Sequence, residues 1–257
     1  EGLTEVAKKI GGKALALDIG STEAPQKLID AAKADGGWDV IVHNAGITRD
    51  KTIANMKEHL WQLVMNVNLS TQERINEALV EQARLGKTVV RLKGGDPGVF
   101  GRLGEEMDHL AAHGIPFEVV PGVTAATAAG ADAAFPLTHR GKAASVTFLT
   151  GHCADGTDQN WKAHIETGAT LCLYMGAKAL PSVAVKLIAA GAQADLPIRL
   201  LSKVSQDGAS DVLTTLTELA SGKIDVSVLP TPLIAVVGAV VAPPRHAGLM
   251  GRIAAFA

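Results

Sequence analysis

A short apolar run, Thr88-Val-Val-Arg-Leu92, leads directly into a loop with glycines at 94, 95, 98 and 101. The run reads as a buried strand. The glycines let backbone approach a ligand with no side chain in the way. In an open α/β sheet, ligands bind in the loops beyond the carboxyl ends of the strands. Arg91, Lys93 and Arg102 add cationic donors suited to carboxylates, and two acids, Glu105 and Glu106, follow at once. A strand, a glycine-rich loop and a helix in immediate succession restrict the chain to an α/β fold.

The rest of the chain repeats the alternation. Expected helices cover Glu1–Lys9, Glu23–Ala34, Lys57–Asn66, Thr71–Arg84 and Leu103–His113. Expected strands cover Lys13–Asp18, Val40–His43, Val89–Leu92 and Phe117–Val120. Pro121-Gly122 reads as a linker. Beyond it, a small-residue helix is expected at Ala125–Ala134, with further helices at Leu180–Ala190 and Leu216–Ser221. Strands are expected at Val146–Thr150, Thr170–Tyr174, Ile198–Leu201 and Leu233–Val237. Strand–helix alternation at this spacing predicts a mostly parallel sheet with helices on both faces.

Composition removes several function classes. The 257 residues suffice for one large or two small domains. A formal charge of −2, with no basic stripe interleaved with aromatics, argues against a nucleic-acid surface. The longest apolar run, Leu233 to Ala242, is too short for a membrane span, and no signal peptide is visible. Two cysteines, Cys153 and Cys172, have no metal-ligand spacing and read as free thiols. A cytoplasmic protein with no metal, membrane or nucleic-acid partner is expected.

The string Arg91-Leu-Lys-Gly-Gly-Asp-Pro-Gly-Val-Phe-Gly-Arg102 closely resembles the signature of uroporphyrinogen III C-methyltransferases, members of the tetrapyrrole methylase family. Gly114-Ile-Pro-Phe-Glu-Val-Val-Pro-Gly-Val-Thr-Ala-Ala126, Pro136-Leu-Thr-His-Arg140, Ser145-Val-Thr-Phe-Leu-Thr-Gly-His152, Tyr174-Met-Gly176 and Pro232-Leu-Ile-Ala-Val-Val-Gly-Ala-Val-Val241 continue the likeness in order. It covers about Thr71 to Ala242. The resemblance implies a two-domain α/β architecture that forms homodimers and transfers methyl groups from S-adenosyl-L-methionine to carbons of uroporphyrinogen III, giving precorrin-2 and S-adenosyl-L-homocysteine. It assigns cofactor contacts to Gly94, Gly95, Asp96, Val99, Thr124, Ala125, Met175 and Val204. It assigns Arg102 and Arg140 to the substrate's carboxylates, and Arg102 to catalysis as clamp or electrostatic stabiliser.

Some positions keep two readings. Glu105 either orients Arg102 for catalysis or caps the following helix. Met175 is a core methionine by periodicity and a cofactor contact by its place in Tyr-Met-Gly. His139 and His152 are better read as turn histidines than as proton shuttles. Three residues depart from the pattern: Leu103 stands where the family has glycine, Gly98 where it has an aromatic, and Val204 where a glycine normally admits the adenine.

Residues 1–70 follow another pattern. Ala14-Leu-Ala-Leu-Asp-Ile19, Asp39-Val-Ile-Val-His-Asn-Ala-Gly-Ile-Thr-Arg49 and Met65-Asn-Val-Asn-Leu69 resemble a short-chain dehydrogenase/reductase of the 3-oxoacyl-carrier-protein reductase type. That likeness places Asp18 near an adenine, Asn44-Ala-Gly46 beside a nicotinamide cofactor, and Asn68 in a catalytic tetrad. The reductase Tyr-x-x-x-Lys is missing, since the single tyrosine is Tyr174, and so is the methylase opening loop Gly-Ala-Gly-Pro-Gly-Asp. The chain therefore reads as a graft joined near Leu69 to Arg74. The N-terminal α/β domain spans 1–120, with Rossmann-like βα units over 1–70 and a methylase-like part over 71–120. A methylase C-terminal domain spans 121–242 and a tail spans 243–257. Methyl transfer, weakened by the replaced N-terminus, is the leading reading. A non-catalytic α/β chimera and an NADP(H)-dependent reductase are the alternatives.

Overall fold

The computed structural model describes residues 4–5, 7–8, 11–18, 21, 23–35, 40–42, 58–59, 62, 71–151 and 159–242. The chain divides into two compact units, Glu1–Gly122 and Val123–Ala257.

In unit 1 the described elements are α1 (Ala24–Ala34), β1 (Val40–Val42), α2 (Thr71–Arg84), β2 (Val90–Leu92) and α3 (Leu103–Ala112). The pair β1/β2 is parallel, with Ile41 opposite Arg91. In α2, Glu73 in the first turn and Arg84 in the last complement the helix dipole. Gly86, at φ 76°, turns the chain out of that helix.

Two expected strands of this unit do not form. Residues 12–18 are irregular and 13–16 are exposed, with Lys13 ion-paired to Asp35. Residues 117–120 run outside any ladder, and Phe117, Val119 and Val120 are all exposed. Their apolar character suggested burial, but a strand also needs a neighbour for its backbone donors and acceptors. Consecutive exposed apolar residues also lack the alternation of a half-buried strand. The expected helix over 57–66 falls almost wholly outside the described residues, of which 58–59 and 62 are helical.

Unit 2 contains α4 (Ala125–Asp132), β3 (Val146–Thr150), α5 (Trp161–Glu166), β4 (Thr170–Tyr174), α6 (Leu180–Ala189), β5 (Pro197–Ser202), β6 (Ser210–Thr215), α7 (Leu216–Ala220) and β7 (Leu233–Val237). Its five-stranded sheet has the order β3-β4-β7-β5-β6. Only β3/β4 is parallel; β4/β7, β7/β5 and β5/β6 are antiparallel. The expectation of a mostly parallel sheet is corrected here. The loop joining β5 to β6, residues 203–209, is too short for a crossover, so the two strands must run antiparallel. β6 (SDVLTT) was hidden by its polar composition, and α5 by its shortness; Asn160 caps α5 by accepting the Ala163 N–H at 3.2 Å.

Alternation along the strands divides the core in two. Leu171, Leu173, Ile198, Leu200, Ala235 and Val237 face α6 and α7, meeting Leu180, Ala184, Leu187, Leu216 and Leu219. Cys172, Leu201, Ile234 and Val236 face the other way, onto Ala126 and Ala129 of α4. A sheet covered on both faces explains why β4, β5 and β7 read as nearly continuous apolar runs. Among the described residues no helix is long and apolar enough to cross a membrane.

Leu187 is fully buried at 0% exposure. Leu187→Ala is expected to destabilise the chain by about 2–5 kcal/mol in a urea unfolding curve, the usual range for a core cavity. Burial pushes the Cys172 thiol up to about 12. Because the folded value is raised, its contribution to stability is complete below the unfolded thiol's value of about 8.5 and is lost as pH climbs through the folded one. In a Cys153→Ser background, Cys172 is expected to resist a thiol reagent at neutral pH until the chain is unfolded.

Candidate functional site

The glycine-rich loop after β2 is held by its own acid. Asp96 Oδ1 accepts the Gly98 N–H at 2.8 Å, and Asp96 Oδ2 accepts the Gly122 N–H at 3.0 Å. A Cβ on Gly122 would fall 2.4 Å from the Gly95 carbonyl oxygen, and one on Gly101 would fall 2.4 Å from that of Pro97. These two glycines are therefore required by backbone contact. Gly95 adopts φ 81°, and Gly94 and Gly95 are exposed. Val99 is half-buried, its N–H donating to the Asp96 carbonyl at 3.2 Å. The Asp96 carboxylate thus shapes the loop.

The charges around the loop divide by burial. Glu106, 3% exposed, accepts from Arg91 Nε at 3.0 Å and from Lys93 Nζ at 2.7 Å. The sequence offered Arg91 and Lys93 as donors for a ligand's carboxylates; in the structure both donate to one carboxylate of the protein itself, Glu106, which balances one of their two charges. Arg102 is different. Its side chain is 43% exposed and its Nε donates to Glu105 Oε1 at 3.0 Å. Arg102 occupies the N-cap of α3 at φ 56°, and its own side chain makes no cap hydrogen bond. The Glu105 carboxylate holds Arg102 and also accepts its own backbone N–H in the first turn of α3, so the geometry keeps both readings of this residue. Partial burial pushes the Glu105 carboxyl up, but hydrogen bonds from Arg102 and from its own backbone N–H, with the charges of Arg102 and Lys93, outweigh it and leave the carboxyl below its ordinary value.

Unit 2 brings its candidates together around the end of β4. Tyr174 lies within 2.8 Å of Thr124 Oγ1, and its hydroxyl accepts the Ala126 N–H at 3.0 Å. Thr124 is buried at the N-cap of α4, and Ala125 beside it is exposed. Met175 follows Tyr174 at φ 54° and is 59% exposed, which overturns its core reading. A strained backbone on an exposed apolar side chain is the kind of outlier found at functional sites. Val204 is half-buried against the α4-side cluster, between Lys203 (φ 48°) and Ser205 (φ 59°). Asp132 at the end of α4 holds that turn, accepting the Ser205 N–H at 2.5 Å. Arg140 is exposed in a turn closed by His139, whose Nδ1 lies 2.7 Å from the Arg140 carbonyl oxygen, as the turn-histidine reading expects.

Sequence reasoning missed the linking roles of Tyr174, Asp132 and Glu106. Tyr-Met-Gly was noticed, but its weight went to the methionine. His152, Asn44, Ala45, Gly46 and Asn68 lie outside the described residues; Asp18 is described and exposed. No group of three His, Cys, Asp or Glu side chains suited to a metal occurs among the described residues.

Architecture and site together describe an α/β protein that offers a ligand backbone and hydrogen-bonding side chains. The family model described as tetrapyrrole (corrin/porphyrin) methylases matches residues 1–220. The chain belongs to the tetrapyrrole methylases. It is 56% identical over 133 residues to a siroheme synthase of Pseudomonas paraeruginosa, covering 51% of this chain and 29% of that protein. It is 47% identical over 171 residues to the siroheme synthase of Stutzerimonas stutzeri, covering 66% and 37%. The chain therefore spans about a third of the length of these curated relatives. Among solved structures it is similar to the uroporphyrin-III C-methyl transferase of Thermus thermophilus complexed with S-adenyl homocysteine, with 37% identity, 66% of this chain and 74% of that chain covered, and a TM-score of 0.58. A cobalt precorrin-4 methyltransferase aligns over 87% of this chain and 90% of its own at TM-score 0.63 and 21% identity, a likeness of fold. The family match begins at residue 1 and so includes the segment read as reductase-like; these matches do not support the reductase resemblance.

Glu106→Ala strands two largely buried cations and is expected to cost about 3–5 kcal/mol. Glu105→Ala removes an exposed pair and is expected to cost under about 1 kcal/mol. Parallel urea unfolding curves of the two variants check the contrast.

Proposed function

We propose that this chain carries a methyl group from S-adenosyl-L-methionine to carbon atoms of uroporphyrinogen III, in the direction of precorrin-2. The observation that carries the reading is the end of β4. There the exposed Met175 and the tyrosine-anchored start of α4 are brought together by residues that match the family's motifs. Family membership and the likeness to a methyltransferase complexed with S-adenyl homocysteine support it. The residues fit the cofactor: Ala125 and Met175 are exposed, and the exposed Gly94 and Gly95 leave backbone uncovered. The half-buried Val204, standing where the family has glycine, is proposed to crowd it.

When bound, S-adenosyl-L-methionine supplies an activated methyl on a sulfonium, which already carries its leaving group. The protein's part is to orient and to exclude water. Gly94, Gly95, Asp96, Val99, Thr124, Ala125, Met175 and Val204 are the proposed contacts, with Asp96 acting through the loop it folds. Arg102, held by Glu105, and Arg140 are the proposed clamps for the substrate's carboxylates. Arg102 stays protonated, so it steadies charge rather than removing a proton.

Isothermal titration of the purified chain with S-adenosylhomocysteine tests the reading, with NADPH as a parallel titrant. Saturable one-site binding of S-adenosylhomocysteine and no heat from NADPH is expected; failure to bind S-adenosylhomocysteine sinks the proposal. Val204→Gly is expected to tighten that binding by at least about fivefold, equivalent to relieving roughly 1 kcal/mol of crowding. The same change removes packing beside α4 and is expected to lower the unfolding midpoint.

A further inference from the structure

We propose that Tyr174 is a positioning residue, whose hydroxyl sets the start of α4 so that Thr124 and Ala125 meet the cofactor in register with Met175. The proposal rests on the methyl-transfer reading above.

An N-cap threonine ordinarily turns its own oxygen onto the amide two or three residues ahead. Thr124 does not: its side chain makes no cap hydrogen bond. Its hydroxyl goes to Tyr174 instead, at 2.8 Å. The amide two residues ahead, Ala126 N–H, donates to the Tyr174 hydroxyl at 3.0 Å. The cap is therefore supplied by a residue 48 positions away, from the last position of a neighbouring strand. A local cap was within reach of the sequence, and the fold uses a distant one.

The geometry explains what the exchange achieves. The ring of Tyr174 is steadied edge-on by Phe148, with centroids 5.8 Å apart at 66°. The next residue is Met175, exposed and at positive φ. One phenol thus ties residues 124–126 to residue 175, two of the three segments of this unit that the cofactor reading uses. Burial raises the Tyr174 phenol above its ordinary value, so the hydroxyl keeps its proton at neutral pH and works through hydrogen bonds.

Loss of the hydroxyl leaves Thr124 free to cap α4 locally. The helix end then survives, but its register against Met175 does not, which separates positioning from mere support. Tyr174→Phe is expected to bind S-adenosylhomocysteine roughly 5- to 10-fold more weakly in isothermal titration, the effect of about one hydrogen bond. Its thermal midpoint is expected to stay within about 3 °C of the unaltered chain. Thr124→Val is expected to weaken binding similarly, and the double variant no further, because both changes break one linkage. Unchanged affinity in Tyr174→Phe overturns the positioning role and leaves the methyl-transfer reading standing. No binding by the unaltered chain overturns both. If Tyr174→Phe fails to fold, the unaltered chain decides. It has a single tyrosine, so its ¹³Cζ-labelled ring gives one resonance. A shift on saturation with S-adenosylhomocysteine supports the proposal, and an unmoved resonance overturns it.

Discussion

Unit 2 is organised by a contact that only two glycines permit. A Cβ on Gly151 would lie 2.2 Å from the Gly176 Cα, and one on Gly176 would lie 2.7 Å from the Gly151 Cα. The Gly151 N–H closes the contact by donating to the Tyr174 carbonyl at 2.7 Å. The carboxyl ends of β3 and β4 are thereby locked together, with Thr150 opposite Tyr174. The chain must leave β4 through this crossing, and Met175 does so in the left-handed region, at a cost of about 1–2 kcal/mol. Tyr174 faces the α4 side because β4 alternates, and the locked end brings its hydroxyl onto that helix. Packing of two bare backbones comes first, and the placing of the polar groups follows from it.

The loop after β2 shows how burial assigns opposite tasks to similar charges. Glu105 and Glu106 are adjacent, yet one helical step turns Glu106 inward onto Arg91 and Lys93 and leaves Glu105 outward on Arg102. In the low-dielectric interior the Glu106 cluster is costly to break, so it serves the fold. At the surface the Arg102–Glu105 pair contributes little to stability.

Much of this was legible beforehand because local pattern and tertiary role agree. α2 was anticipated from Thr71 to Arg84 by its periodicity, and β3, β4 and β7 by their apolar runs. Disagreement appeared where a property is not local. β6 is polar and half-buried, so only its pairing with β5 makes it a strand. Phe117 to Val120 has a strand's composition but pairs with no strand among the described residues. Strand direction was misread because helical spacing alone does not say which strand lies beside which. For the candidate site, the family resemblance proposed Arg102, Thr124 and Met175. The carboxylate that captures Arg91 and Lys93, and the phenol that caps α4, are long-range choices that one-dimensional spacing does not encode.

The strand order carries a consequence for how the chain is made. The central strand of the five, β7, is also the last in sequence, and it alone joins β4 to β5. Leu171 waits for Val237, and Leu200 for Ala235. Until residues 233–237 arrive, unit 2 holds two unconnected strand pairs, each with an inner edge, on β4 and on β5, left open for β7. Open edges are templates for pairing with other chains. During synthesis from the N-terminus, the vulnerable period lasts until almost the whole described chain has emerged, and it ends in one event that seals both edges together.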